Sequence, residues 1–487
     1  MNAFRETLFY PFSTDKFQYI YDSGTNNIIR VSFPLFKYLT SNEKEKSNFG
    51  IEQSESMLTE LLRAQKELGL LSVKKGEAQL SYMEYEDQEL IERILNSQLE
   101  QLILEVTQNC NLRCEYCVYS GKYHFRRKHQ PISMHRETAL RGIKYFLDRA
   151  SPENPPHIGF YGGEPLLNVP LILDCMKSAR KNNPNTQFDI TTNGTLLSLD
   201  LAELFSKVGV TLRISLDGPE EIHDRYRHFK NGSGSFSIVV KNIRALEKSF
   251  PEYYRNNIFF HVTLAPDGDL SRVKAFMESL SVDPSRISYG LIDPFDNDFS
   301  SCSLQTGILG QAITEELYHY ATTFSVHQGK SIFSTLFEAT LGRIANRRIT
   351  KPHDKGYVAG SCLPGRHRLF LNANGTWFPC EKLDFGFSIG EVERGLDIKL
   401  IKNMMRDLKQ LLSSHCSFCW AYRLCDACLV TFARGAELSA DRLNEYCPLE
   451  KQFLGKMLKA YAMIMESNPE QVCPSPFAQR PYKRKDT

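Results

Sequence analysis

Three observations predict an α/β fold built on parallel strands. Short apolar runs recur through the middle of the chain: ILEVT (103–107), HIGFYGG (157–163), FDITTNG (188–194), TLRISLDG (211–218), FFHVTLAP (259–266) and ISYGLI (287–292). Longer stretches with helical apolar spacing, such as ETALRGIKYFLDRA and LDLAELFSKV, separate them, which is the alternation of βαβ units. Polar and reactive residues (Cys110 to Cys117, Glu164, Asn193, Ser215, Asp217) fall at or just after the ends of these runs, where an α/β barrel collects its active site. A partial (β/α)6 TIM-like barrel over 101–300 is the expected core.

The flanks read differently. Residues 1–78 are expected to form a small α+β unit, with LFYPF, KFQYIYDS and NIIRVS as strands and 24–27 as a turn. PLFKYLT and ESMLTELLRAQKELGLL follow as helices, the second placing Met57, Leu61, Leu62 and Leu68 on one face. A charged helical linker (79–100) leads into the barrel, and a helical bridging region (301–360) follows it. A Cys-rich, Gly-punctuated module occupies 361–466, where LFLNANGTWFPC predicts a hairpin about Asn374-Gly375 and IKNMMRDLKQLL a helix. The Pro- and Lys/Arg-rich remainder, 467–487, is expected to be flexible.

At 487 residues the chain exceeds one ordinary core, giving about three units at roughly 150 residues each. Hydrophobic residues at 42% and charged residues at 24% describe a folded chain. With 59 Lys+Arg against 57 Asp+Glu, the net +2 creates no global field for nucleic acid or an anionic membrane. The start, MNAFRETLFYPFSTDK, lacks a basic-then-apolar signal, and no run of about 18 apolar residues follows. The expectation is a cytoplasmic protein with neither nucleic acid nor membrane as partner. Thirteen cysteines are an odd and sparse set for a disulfide framework, and they cluster: Cys110, Cys114 and Cys117, then seven from Cys362 to Cys447. In a reducing compartment, clustered thiolates point to metal.

Cys110-x3-Cys114-x2-Cys117 supplies three thiolates that can wrap one 4Fe–4S cube and leave its fourth iron open. Structural zinc is the rival, with His124 as the nearest further ligand. The spacing, with Tyr116 before the third cysteine, resembles the signature of radical S-adenosylmethionine (SAM) enzymes. The likeness continues through Tyr161-Gly162-Gly163-Glu164-Pro165, Thr192-Asn193-Gly194, Ser215-Leu216-Asp217-Gly218-Pro219 and Arg227 within HDRYRHFKNGSGSF (223–236). Each element alone reads as an ordinary turn or cap; their order after successive strands carries the resemblance. It implies SAM held by Tyr116, Gly162, Gly163, Glu164, Asn193, Ser215 and Arg227. Arg227 would meet its carboxylate, Glu164 its ammonium, and the glycines would let backbone approach the ligand. It also implies reductive cleavage of SAM to methionine and a 5′-deoxyadenosyl radical that takes hydrogen from substrate. For a general base the sequence offers only Asp217, Tyr161 and His129 as candidates.

The second cysteine region resembles the SPASM extension, which adds two auxiliary iron–sulfur clusters to peptide-modifying radical SAM enzymes; zinc ribbons are the alternative. The resemblance implies Cys362, Cys380 and Cys428 on the first auxiliary cluster, and Cys416, Cys419, Cys425 and Cys447 on the second, three 4Fe–4S clusters in all. Two residues (Asp426, Ala427) separate Cys425 from Cys428, where the family more often has three. Three ligands would leave the first auxiliary cluster an open iron for a substrate thiolate, unless Cys302, Cys473 or a non-cysteine side chain completes it.

Residues 1–78 resemble the winged-helix-like recognition element of enzymes that act on ribosomally synthesised, post-translationally modified peptides (RiPPs). That implies a leader peptide added as a strand at edge 27–32, against helix 55–70; a structural extension is the alternative. CVYSGKYHFRRKHQPISM (117–134) resembles the segment after the cluster in thioether-forming maturases of Cys-rich peptides, and its other reading is a solvated basic loop. Together these likenesses imply a RiPP maturase of ranthipeptide or sactipeptide type. Its partners would be a Cys-rich precursor peptide and a flavodoxin- or ferredoxin-type reductant protein, with side-chain carbon preferred over α-carbon as the attachment point. Other SPASM oxidations (carbon–carbon crosslinking, formylglycine formation) and a non-catalytic zinc-ribbon module are the alternatives.

Overall fold

The six central apolar runs become six parallel strands: Gln101–Thr107, His157–Gly162, Gln187–Thr192, Thr211–Ser215, Ile258–Leu264 and Ile287–Leu291. The computed structural model describes residues 6–42, 45, 49–81, 87–266, 268–280, 282–292, 295, 308–327, 331–352, 354–358, 362–383 and 386–467. Cys302, Cys473 and the 468–487 tail lie outside the described residues. The strands lie side by side in chain order. Each crossover therefore turns the same way and leaves its helix on one face, as in a barrel wall; a doubly wound sheet reverses its order.

Alternate strand residues settle the two faces. Leu102, Leu104, Phe160, Ile190, Leu212, Ile214, Phe260 and Val262 are buried in the main core with Ile143, Phe146, Ile172, Phe205 and Ile243 of the crossover helices. The opposite parity carries Glu105, Tyr161, Asp189, Arg213 and His261, so the inner face holds polar groups, beside a small apolar cluster of Ile103, Phe370 and Phe378. The C-terminal module joins this sheet and does not stand apart. Leu369–Leu371 pairs in parallel with the first strand, and Thr376–Phe378 returns antiparallel around the expected turn, where Gly375 has φ 92°. Two short antiparallel strands, Gly390–Glu391 and Gly395–Leu396, complete a ten-stranded sheet. Helices Ile398–Cys416 and Asp441–Ser467 carry Cys416 and Cys447.

At the N-terminus, Phe9–Ser13, Gln18–Asp22 and Asn27–Val31 form an antiparallel meander whose third strand is an edge. Helices Phe33–Thr40 and Ile51–Leu68 follow, and Ile20, Leu35, Tyr38, Met57, Leu61 and Leu71 make a small core. The helix buries a narrower stripe than its leucines suggest. Leu62 lies about 100° around the helix from Leu61, and Leu68 is in the last turn before the left-handed Gly69; both are exposed. Phe12 and Tyr21, also on the sheet, belong to the main core. Among the described residues no helix is long and apolar enough to cross a membrane.

Candidate active site

The loop bearing the first three cysteines is held by the glycine pair after the second parallel strand. Gly163 N–H donates to the Thr107 carbonyl at 2.8 Å, and Glu164 N–H to the Asn109 carbonyl at 2.9 Å. A Cβ on Gly162 would stand 2.1 Å from the Thr107 carbonyl oxygen, and one on Gly163 the same distance from that of Asn109. The ladder slips between Glu105 and Thr107, a bulge that turns the chain toward Cys110. The glycines are thus required by backbone lying on backbone, before any ligand is considered.

Glu164 is fully buried, and its carboxylate ties neighbouring strand ends together. It accepts from Thr192 Oγ1 (2.7 Å), Asn193 N (2.7 Å) and Leu166 N (3.0 Å). Burial pushes its pKa up, and those hydrogen bonds only partly offset it. Asn193 Nδ2 donates to Asn111 Oδ1 at 2.9 Å and approaches Cys110 Sγ at 3.8 Å. Asn111 in turn donates to Thr195 Oγ1 at 2.8 Å.

Across the cysteine loop, Arg227 holds Asp217 through Nε to Oδ2 (2.7 Å) and Nη2 to Oδ1 (3.3 Å). Tyr116 donates its hydroxyl to the same carboxylate, and Thr263 N adds a bond to Oδ1 at 2.9 Å. Burial alone would raise the Asp217 pKa. Arg227, His223 and the Tyr116 hydrogen bond outweigh it and hold the group below the ordinary aspartate value. An ionised carboxylate engaged this fully is a structural anchor. Of the other base candidates, Tyr161 is pushed up by burial, while His129 is pushed down by burial, lies at 3.2 Å from the Gln108 carbonyl through Nδ1 and stacks on Tyr119. Ser215 ends the fourth strand, is buried and pairs with His261 of the fifth.

The three thiols fit an iron–sulfur cluster by the chemistry of their surroundings. Backbone N–H groups two residues on point at sulfur, Leu112 N to Cys110 and Tyr119 N to Cys117, each at 3.4 Å. Burial pushes the Cys110 and Cys114 thiols up to about 12, so a cationic partner is what would keep them as thiolates. An open cleft of 360 Å³, lined by Asn109, Cys110, Asn111, Leu167, Phe229, Lys230 and Asn231, gives access to this loop.

The later cysteines fall into two groups. Burial, Glu381, Cys428 and Cys362 all push Cys380 up, to about 12, which places the three thiols within electrostatic reach of one another. Burial, Cys419 and Cys447 do the same for Cys416, also to about 12, and Cys419 acts likewise on Cys425. Ala427 N approaches Cys425 Sγ at 3.4 Å, repeating the pattern of the first loop. Among the described residues no group of three His, Cys, Asp or Glu side chains is arranged to hold a single metal ion.

Sequence reasoning missed several supporting residues. His223 accepts from Asp217 N (3.3 Å) through Nδ1 and meets Ser235 Oγ through Nε2 (3.0 Å); Ser235 Oγ donates to the Arg227 carbonyl at 2.9 Å, closing a ring around the ion pair. Glu105, Tyr119 and Arg127 form a second buried group. A carboxylate inside the apolar run ILEVT was the available signal, since a buried charge requires a partner.

The Radical SAM superfamily model matches residues 104–272. A cysteine-type anaerobic sulfatase-maturating enzyme of Clostridium novyi is 34% identical over 161 residues, 32% of this chain and 42% of that protein. The radical SAM cyclopropyl synthase TigE of Paramaledivibacter caminithermalis is 25% identical over 315 residues, 62% of this chain and 61% of its own. The chain thus spans less than two thirds of the length of these curated relatives. Among solved structures, native anSMEcpe with bound AdoMet superposes with a TM-score of 0.59 at 21% identity, over 76% of this chain and 99% of the other, a likeness of fold. The part of the chain that contains the cysteine triplet, the glycine pair and the Asp217–Arg227 pair is a radical SAM domain, over residues 104–272.

Proposed function

We propose that this chain is a radical SAM peptide maturase that installs Cys thioether crosslinks in a ribosomally made, Cys-rich precursor peptide. Cys110, Cys114 and Cys117 would hold the SAM-binding 4Fe–4S cluster. Cys362, Cys380 and Cys428 would hold a first auxiliary cluster, and Cys416, Cys419, Cys425 and Cys447 a second. When bound, SAM on the first cluster supplies a 5′-deoxyadenosyl radical for hydrogen abstraction, and the auxiliary clusters supply a thiolate-binding and electron-accepting site.

The chain's own residues would orient and enclose that chemistry. Asn193 and Asn111 brace the Cys110 side, and Tyr116, Asp217 and Arg227 the Cys114 side. Arg227 has five N–H donors and engages Asp217 with only part of them, which leaves capacity for a ligand carboxylate. Glu164 has already accepted three bonds, so its part in SAM binding would come chiefly through Asn193 and the Gly162–Gly163 backbone. Gly162, Gly163 and Ser215 would line the strand ends. Asn27–Val31, an edge strand among the described residues, would take a leader peptide as a fourth strand. A cytoplasmic location and a small flavodoxin- or ferredoxin-type electron donor belong to the same proposal.

The observation that carries the thioether reading is the grouping of Cys362, Cys380 and Cys428, which among the described residues is one thiol fewer than a closed set. The likeness to a sulfatase-maturating enzyme favours a second reading, oxidation of a protein cysteine to formylglycine. Co-expression with a short Cys-rich substrate peptide, followed by mass analysis, separates them. A thioether removes two hydrogens per link and leaves the cysteine resistant to alkylation; an aldehyde that captures a hydrazide would establish formylglycine instead.

A further inference from the structure

Arg127 links the first cysteine loop to Cys380 through groups that neither cluster would touch directly. Its Nη1 donates to Glu105 Oε1 at 3.2 Å, and its Nη2 to the Glu381 carbonyl, next to Cys380, at 2.6 Å. The same Glu105 oxygen accepts from Tyr119 Oη at 2.8 Å, and the Tyr119 backbone N–H is the one that points at Cys117 Sγ. Glu105 Oε2 accepts from Gln108 Nε2 (2.9 Å) and from Ala373 N (3.0 Å), in the C-terminal hairpin. Arg126 adds a bond from Nη1 to the Lys382 carbonyl at 2.6 Å. Glu105 is fully buried and Arg127 nearly so, with its guanidinium 4.6 Å from the Phe370 ring centroid and 5.4 Å from that of Tyr119. Within the basic segment Lys128 is exposed, but Arg127 is buried, and it and Arg126 cap carbonyls beside a proposed cluster ligand.

We propose that Glu105 and Arg127 are a positioning pair that sets the Cys117 loop against the Cys380 loop, and thereby the placement of the SAM-binding cluster relative to the first auxiliary cluster. The proposal rests on the maturase reading above. Two features argue for it over a stability role alone. The pair joins segments 254 and 268 residues apart in the chain, the first ending at Glu381 beside Cys380 and the second at Ala373 in the hairpin that leads to it. It also uses the planar guanidinium to reach a carboxylate and a carbonyl at once, which a lysine ammonium on a flexible stem does not reproduce. A hydrophobic contact would bury as well without fixing direction.

The test uses the full chain, anaerobically reconstituted and co-expressed with the Cys-rich precursor. Arg127→Lys keeps a charge beside Glu105 but loses the fork. It is expected to retain wild-type iron content and SAM cleavage without peptide, to change the electron paramagnetic resonance signal of the dithionite-reduced auxiliary clusters, and to yield about tenfold or more fewer crosslinks per 5′-deoxyadenosine. Wild-type spectra together with a wild-type crosslink ratio would overturn the coupling. If Arg127→Lys does not fold, the double variant Glu105→Gln/Arg127→Met removes both charges; a normal ratio there overturns the proposal and a lowered one supports it. Wild-type protein that forms no 5′-deoxyadenosine overturns the underlying reading itself, an outcome distinct from an active wild type with an unaltered Arg127→Lys.

Discussion

Arg423 donates its Nε–H to the carbonyl of Ser23 across 2.9 Å, tying the turn of the N-terminal sheet to the loop between Cys419 and Cys425. The same guanidinium reaches the carbonyls of Gly24 at 3.3 Å and Asp354 at 2.9 Å. Ser23 Oγ donates back to the Trp420 carbonyl at 2.6 Å, and Tyr10 stacks on the Trp420 ring with centroids 4.1 Å apart. The unit proposed to receive a leader thus sits directly on residues proposed to flank a cluster. Arg423→Ala strips a shared donor from three carbonyls. Urea denaturation is expected to show a loss of about 1–3 kcal/mol; a change within about 0.5 kcal/mol, the range of a neutral surface substitution, would show that the joint is not stabilising.

The glycine pair gives a sharper contrast. Gly163→Ala drives a Cβ onto the Asn109 carbonyl oxygen, and backbone on both sides leaves nowhere to yield. Iron incorporation by the purified protein is expected to fall severely. Gly209→Ala is the control: unlike Gly163 it has positive φ, 71°, but nothing lies within 4 Å of its Cβ. That variant is expected to lose only about 1 kcal/mol and to keep its iron.

Cys114→Ala tests the cofactor assignment. With a proposed ligand gone, reductant and SAM should give no 5′-deoxyadenosine by chromatography, while the C-terminal cysteines still bind iron. Undiminished formation would remove the triplet from the chemistry.

His223 predicts a pH dependence of stability. Burial pushes its pKa down to about 4, with the Arg227 charge assisting against the pull of Asp217 and Asp224. The unfolded imidazole titrates near 6.5, so below that value the unfolded state binds the extra proton. Stability is therefore complete above about pH 6.5 and is lost as pH falls toward 4. One such group costs about 2 kcal/mol at about pH 5 relative to pH 8. His223→Gln should flatten the denaturation midpoint over that range, and an unchanged slope would remove His223 as its source.

Strand addition at Asn27–Val31 predicts a periodic response to peptide backbone chemistry. Methylating alternate leader amides should weaken binding to the full chain about tenfold or more for one parity and little for the other, since an edge meets every second N–H. Equal loss at both parities would count against strand addition. Excising residues 1–75 is a poorer test, because it would uncover Tyr10, Phe12 and Tyr21, which pack against the rest of the protein.

Much of this protein was legible from local pattern. Alternation of period two, helical spacing between the runs and the order of the GGEP, TNG and SLDG elements located all six parallel strands to within a few residues. The reasons behind individual residues were not legible in that way. Glu164, expected to face a ligand, is occupied by strand-end N–H groups and Thr192, and the Gly162–Gly163 pair serves close backbone contact.

Sequence alone determined which residue types stand at the strand ends, because periodicity and short-range spacing are properties of neighbouring positions. Only the tertiary structure decided which charges are matched. Arg227 is engaged by Asp217, Arg127 by Glu105 and the Glu381 carbonyl, and Arg423 by the turn at Ser23. Buried charges and carbonyls must find partners wherever packing brings them. Here several of those partners lie more than 250 residues away, a distance over which no local pattern carries information.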